Sequence, residues 1–122
     1  MLHPKIAERL EEQKKLGGID ARELPPGTKL EVETNNNVYK IEIVSTDGEI
    51  EIQGGTHFPE TTKVRLNGST WGGSMIKVGW IGSGMRMEII RPEEENSFLL
   101  TSSVKGAKVI GPDWDYELDW TE

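Results

Sequence analysis

His57 is the first residue to weigh for chemistry, because an imidazole titrates near neutral pH and can act as general acid, general base or metal ligand. It stands in Gly54-Gly-Thr-His-Phe-Pro-Glu60, and the other histidine, His3, lies at the N-terminus. Neither forms a recognisable pattern with a nucleophile. His57 is expected to be a loop residue packing on Phe58; a small hydrolase-like enzyme using His57 and a carboxylate is the catalytic alternative. The 21 acidic residues offer many pairs, but none is singled out for glycoside chemistry. With no cysteine, thiol catalysis, disulfides and thiolate metal sites are excluded. Asp113, Asp115, Glu117 and Asp119 offer oxygens at alternate positions, yet the chain ends before the Glu that closes an EF-hand loop. No metal and no cofactor is expected.

Two glycine-rich stretches look at first like anion cradles. Gly68-Ser-Thr-Trp-Gly-Gly-Ser74 lacks the Gly-Lys-Ser/Thr ending of a phosphate loop and runs into Met75-Ile-Lys-Val78, a strand pattern where such a loop needs a helix. Gly79-Trp-Ile-Gly-Ser-Gly84 contains GxG but not GxGxxG. Eight of the 14 glycines lie between residues 54 and 84, and they read as turns and close strand approaches. Trp71, inside the first stretch, is expected on an open loop where it could line a pocket; Trp80 is expected in the core.

Charge layout gives a second candidate. The net charge of −7 argues against generic nucleic-acid binding, which depends on neutralising phosphates. Residues 1–24, 25–55, 56–91 and 92–122 carry 0, −4, +3 and −6, so the glycine-rich centre is the one basic segment. Strand parity places Lys63 and Arg65 on one outward face, and Lys77 and Arg86 on the outward face of the next hairpin with Gly79 opposite Arg86. Together with Trp71 they are the expected ligand-binding residues, a shallow basic face for a small anionic ligand or an acidic segment of a second subunit.

The elements that must carry these residues can be read from periodicity. Residues 4–16 form a helix, with Pro4 in the first turn and Gly17-Gly18 as the stop. From residue 28 the period is two. A hairpin at Asn35-Asn36 sets Leu30 against Ile41, Val32 against Tyr39, Lys29 against Glu42 and Glu31 against Lys40. Asp47-Gly48 as a two-residue turn sets Ile43 against Ile52, with Ile41, Ile43, Ile50 and Ile52 on one face. Val64 and Leu66 point inward. A strand at 75–81 followed by a Gly82-Ser83 turn sets Trp80 against Met85, Val78 against Met87, Ile76 against Ile89 and Lys77 against Glu88. Shorter strands are expected at Phe98–Leu100 and Lys108–Ile110. Asp113–Trp120 alternates acids with Trp114, Tyr116, Leu118 and Trp120, an edge strand whose apolar face is the expected subunit interface.

The run Gly54-Gly55, Phe58-Pro59-Glu60, Leu66-Asn-Gly-Ser69, Gly72-Gly-Ser74, Lys77, Gly79-Trp-Ile-Gly82, Gly84 and Met87-Glu88 resembles a group of short, uncharacterised bacterial proteins. That resemblance covers about a third of the chain and implies a discrete small domain, carrying over no functional residue. The expected fold is mainly β, a small antiparallel barrel or compact sandwich of seven or eight short strands with one N-terminal helix. It forms a single domain with a helical extension at 1–24, a β core at 28–111 and an acidic, aromatic strand or tail at 112–122. The expected function is a non-catalytic, homo-oligomeric binding or assembly module, with no membrane span and no signal segment, hence cytoplasmic. The alternative binding reading is an acidic protein that blocks a basic partner surface, its acids at 25–55 and 113–119 on one face.

Overall fold

A computed structural model describes residues 4–72, 75–94, 97–110 and 117–119. Helix α1 runs Pro4–Lys15 and ends as Leu16 and Gly17 bond back to the Gln13 and Lys14 carbonyls at 2.9 and 3.0 Å. The strands are β1 (Gly18–Asp20), β2 (Lys29–Thr34), β3 (Val38–Ile43), β4 (Glu49–Gly54), β5 (Phe58–Gly72), β6 (Met75–Val78), β7 (Trp80–Gly82), β8 (Arg86–Arg91), β9 (Ser97–Ile110) and β10 (Glu117–Asp119).

The strands β2-β3-β4-β5-β8-β9 close into an antiparallel ring, because β9 pairs with β8 through one half of its length and with β2 through the other. Closure leaves no edge within the ring and matches the small β-barrel that the periodicity predicts. Alternation fills its interior: Leu30, Val32, Tyr39, Ile41, Ile43, Ile50, Ile52, Val64, Leu66, Met87, Ile89, Val104 and Val109 are all buried. The long strands β5 and β9 bend around the barrel at register shifts between Leu66 and Gly68 and between Glu33 and Thr34 of the partner β2. At the β2–β9 seam, Ser102 Oγ donates to Thr34 Oγ1 at 2.9 Å and accepts from the Asn36 N–H at 3.2 Å, which ties the first hairpin loop to β9.

The N-terminal segment belongs to this core. Leu10, Ile19, Ala21 and Leu24 join Ile81 in the same buried cluster as the barrel strands. β1 pairs with β7 (Ile19 opposite Ile81), a separate two-stranded ribbon, and the Ser83 N–H donates to the Gly17 carbonyl at 2.7 Å. Gln13, buried on the helix, accepts from the Asp20 N–H at 3.1 Å and donates to Glu23. Arg9 grips Glu23 with two bonds of 3.0 and 2.9 Å. Those bonds to Glu23, with a further one to Glu12, raise the guanidinium pKa above its ordinary value.

The Asn35-Asn36 register is as predicted at all four named pairs. Other details differ. Ile43 faces Ile50 and Ile41 faces Ile52, so the second hairpin is two residues out of the predicted register. The chain uses a longer loop, in which the Val44 and Ser45 N–H groups both reach the Glu49 carbonyl and Gly48 takes φ 97°. A two-residue shift keeps every side chain on its face, and all four isoleucines remain buried. Residues 75–82 are not one strand. Gly79, at φ 74°, breaks them into β6, which pairs with β5, and β7, which pairs with β1. The turn that follows is centred on Ser83-Gly84, with Met85 N–H bonded to the Gly82 carbonyl at 3.1 Å and Gly84 at φ 79°, the third-position conformation of a type II turn. Phe98–Leu100 and Lys108–Ile110 are two parts of the single strand β9.

Candidate functional site

The glycine-rich stretch that resembles a cradle is the β5–β6 hairpin: Gly68 faces Val78, Ser69 faces Lys77 and Gly72 faces Met75. Gly68 is demanded by packing, since a Cβ there would stand 2.1 Å from the Lys77 carbonyl oxygen. Thr70 buttresses the tip, its hydroxyl donating to the Met75 carbonyl and accepting from the Gly72 N–H at 2.9 Å. The stretch is a strand connection, and residues 73 and 74 between its two strands lie outside the described residues.

Among the described residues β6 has one strand neighbour, β5, and forms an end of the sheet path. Three of the eight large exposed apolar side chains among the described residues sit on this one hairpin: Trp71 is 75 % exposed, Met75 81 % and Val78 49 %. Trp71 lies against Gly84, close enough that a Cβ there would stand 3.1 Å from the indole. The expectation of an exposed Trp71 and a buried Trp80 therefore matches the structure.

The four cations divide. Residues paired across antiparallel strands share a face. Ser69 pairs with both Lys77 and buried Met87, whereas Thr70 pairs with Arg86, so Lys77 and Arg86 emerge on opposite faces of β5. The Lys77 ammonium lies 3.8 Å from the centroid of the Trp80 ring, a cation–π contact in place of the predicted contact with Glu88. Glu88 instead accepts from the Asn67 side-chain amide. Arg86 Nε donates to the Thr101 carbonyl at 2.7 Å, and its ladder partners are Thr70 and Ser103, while Gly79 is covered by the Arg22 side chain. Arg65 donates to the Asp47 carbonyl. Lys63 and Arg65 stay together, opposite Glu51 and Glu49 on β4, and line a cleft of about 200 Å³ whose rim includes Glu49 and Glu93. Its lining is of mixed sign.

A recess of about 340 Å³ lies over the first strands, lined by Lys29, Glu31, Lys40, Glu42, Glu51 and Gln53 among others. Its charges alternate because they are the outward residues of the predicted opposite-charge cross-strand pairs. On the outside of β8 and β9, Ile90 stands opposite Phe98, and Phe98 is largely exposed. The sequence reading missed that apolar pair because it took 98–100 as an isolated short strand.

His57 is exposed in the turn between β4 and β5, where its carbonyl accepts from Arg91 Nη2 at 3.0 Å. Phe58, beside it, is buried and carries the Arg91 guanidinium 4.7 Å above its ring. Among the described residues no carboxylate is hydrogen-bonded to the His57 imidazole, and no three His, Asp or Glu side chains gather closely enough to hold a metal ion. No helix among them is long and apolar enough to cross a membrane. Of the expected interface residues, Trp114, Tyr116 and Trp120 lie outside the described residues; Leu118 falls in β10, whose backbone pairs with Lys108–Ile110 of β9. Comparison with known protein families, curated proteins and solved structures gives no match.

Proposed function

We propose that this chain is a non-catalytic assembly module, a homo-oligomeric small β-domain that meets further copies of itself through the β5–β6 hairpin. The observation that carries the reading is the concentration of exposed Trp71 at the end of β5 with Met75 and Val78 on β6, a hairpin whose second strand has an open edge among the described residues. Scattered surface apolar residues need no explanation, but a cluster at an unpaired edge is a site that natural proteins either cover or use. The reading keeps the homo-oligomer that the sequence suggests and moves its location from the C-terminal strand and the cationic face to the hairpin edge. An anionic ligand finds less support, because Lys63 and Arg65 share their cleft with two glutamates and Lys77 is engaged by Trp80.

The test is native mass across a range of protein concentrations, for the wild type and for a Trp71→Ala/Met75→Asp variant with an unchanged far-ultraviolet circular dichroism spectrum. The expected result is an oligomer for the wild type and a monomer for the variant. A wild type that stays monomeric at every concentration rejects the reading.

A further inference from the structure

The hairpin carries the one accessible sulfur among the described residues. We infer that Met75 is a modification site, at which a peroxide converts the thioether to a sulfoxide and turns the apolar surface of the β5–β6 hairpin polar. Resting on the assembly reading above, the modified chain leaves the assembly while its barrel stays folded.

The selectivity of the site needs no partner. The chain has four methionines and no cysteine, so no thiol competes for the oxidant. Met1 lies outside the described residues. Of the other three, Met75 is 81 % exposed, whereas Met85 is 7 % and Met87 0 %. Both buried thioethers are packed in place. Met85 Sδ lies so near Gly82 that a Cβ there would stand 2.7 Å from it, and Met87 belongs to the core cluster, its N–H bonded to Thr101 Oγ1 at 3.0 Å. Oxidation of a sulfur follows its exposure, which directs a peroxide to Met75.

The step balances with one co-reactant. The Met75 Sδ lone pair attacks one oxygen of hydrogen peroxide, an S–O bond forms, the O–O bond breaks, and the second oxygen leaves as water with the proton of the first. Sulfur gives up two electrons and the peroxide takes them. Methionine sulfoxide reductases return the product to the thioether, so the change is reversible.

The fold does not depend on the reacting atom. The Met75 carbonyl accepts from the Thr70 hydroxyl and its backbone stands opposite Gly72, neither of which involves the sulfur. What changes is the surface shared with Trp71 and Val78, because a sulfoxide oxygen must be stripped of water before it can be covered. The net charge stays at −7, so the effect is one of desolvation and salt does not screen it. A sulfur open in a single copy is covered when the hairpin meets another, and the oxidant therefore draws on free copies.

The experiment treats the full chain with hydrogen peroxide and reads each methionine by peptide mass mapping, beside native mass and thermal melts. Met75 is expected to oxidise about ten-fold or more faster than Met85 and Met87 in the folded chain, a difference that vanishes in denaturant. Its oxidation slows as protein concentration rises, and the melting temperature is unchanged. The dissociation constant of the oxidised chain rises roughly ten- to hundred-fold, the worth of one buried methionine side chain. Met75→Gln shows the same weakening without peroxide, and in Met75→Leu peroxide leaves the native mass where it was. Oxidation of Met75 no faster than of the two buried methionines overturns the site. An oligomer whose mass is unmoved by oxidation at Met75, or a Met75→Leu chain that still responds, overturns the switch while leaving the assembly reading standing. A wild type that is monomeric throughout rejects that reading and the switch together, and the mapping still decides the modification site.

Discussion

Trp80 shows how much of this fold rests on single residues. Its ring lies against Gly18, where a Cβ would stand 2.4 Å from two ring carbons, and against Gly82, where one would stand 2.5 Å from the indole nitrogen. The Lys77 ammonium occupies a face of the same ring. Gly18→Ala, in a conformation any residue could adopt, therefore fails on space alone and should cost ~1–3 kcal/mol, the usual range for overpacking a dense core. Urea denaturation measures that loss, and a shift in tryptophan emission locates it. Lys77→Met tests the ammonium. Losing an exposed cation–π contact should cost roughly 0.5–1 kcal/mol, read from the same urea denaturation; an unchanged midpoint would mean that the ammonium contributes nothing to holding the ring.

Among the elements, helix α1 is the clearest case of one whose existence the sequence announces and whose role it conceals. Pro4 and Gly17-Gly18 mark its ends, but the apolar stripe is too thin to say what it packs on. The structure answers with two buried contacts, Leu10 in the core cluster and Gln13 bonded to Asp20 and Glu23. Leu10→Ala should cost ~2–5 kcal/mol, whereas Leu16→Ala, in an exposed position, should stay within about 0.5 kcal/mol. Paired thermal melts compare the two, and equal shifts would mean that the helix is not docked as described. The same contrast runs through the sheet. The first hairpin was fully legible because its loop length, two apolar pairs and two opposite-charge pairs agree on one register. The second was legible only to the face, since Ile43 packs against Ile50 or Ile52 with equal local logic and the loop geometry decides. The stretch 75–89 misleads because alternation from Met75 to Ile81 looks continuous, and the break depends on Gly79 turning to φ 74° beneath Arg22, a contact 57 residues distant in sequence. That break sends Lys77 to the opposite face from Arg86 and divides the predicted cationic site. The exposed edge of β6 was beyond reach for the same reason: a hairpin strand within a closed barrel is paired on both sides, whereas β6 pairs with β5 alone among the described residues.

At the scale of the whole molecule, barrel closure and assembly are separable. The six-stranded ring closes through β2–β9 and β8–β9 pairing, and β10 adds three residues to one edge of β9 without taking part in closure. Deleting residues 113–122 should therefore leave the barrel folded, with at most a modest loss of melting temperature. If the β5–β6 hairpin is the contact between copies, the truncated chain should retain the native mass of the full one. It should also associate more tightly, because the truncation removes five acidic residues from a chain of net charge −7 and weakens the repulsion between copies. Salt should act in the same direction. Raising ionic strength from roughly 0.01 M to 0.1 M shortens the screening length from about 30 to about 10 Å, which lowers the repulsion between like-charged barrels while leaving apolar and backbone contacts at the edge in place. Sedimentation of both chains at the two salt concentrations checks the sign. Association that weakens with salt, or disappears with residues 113–122, would mean that the copies are held by opposite charges through the acidic segment and not by the open edge of β6.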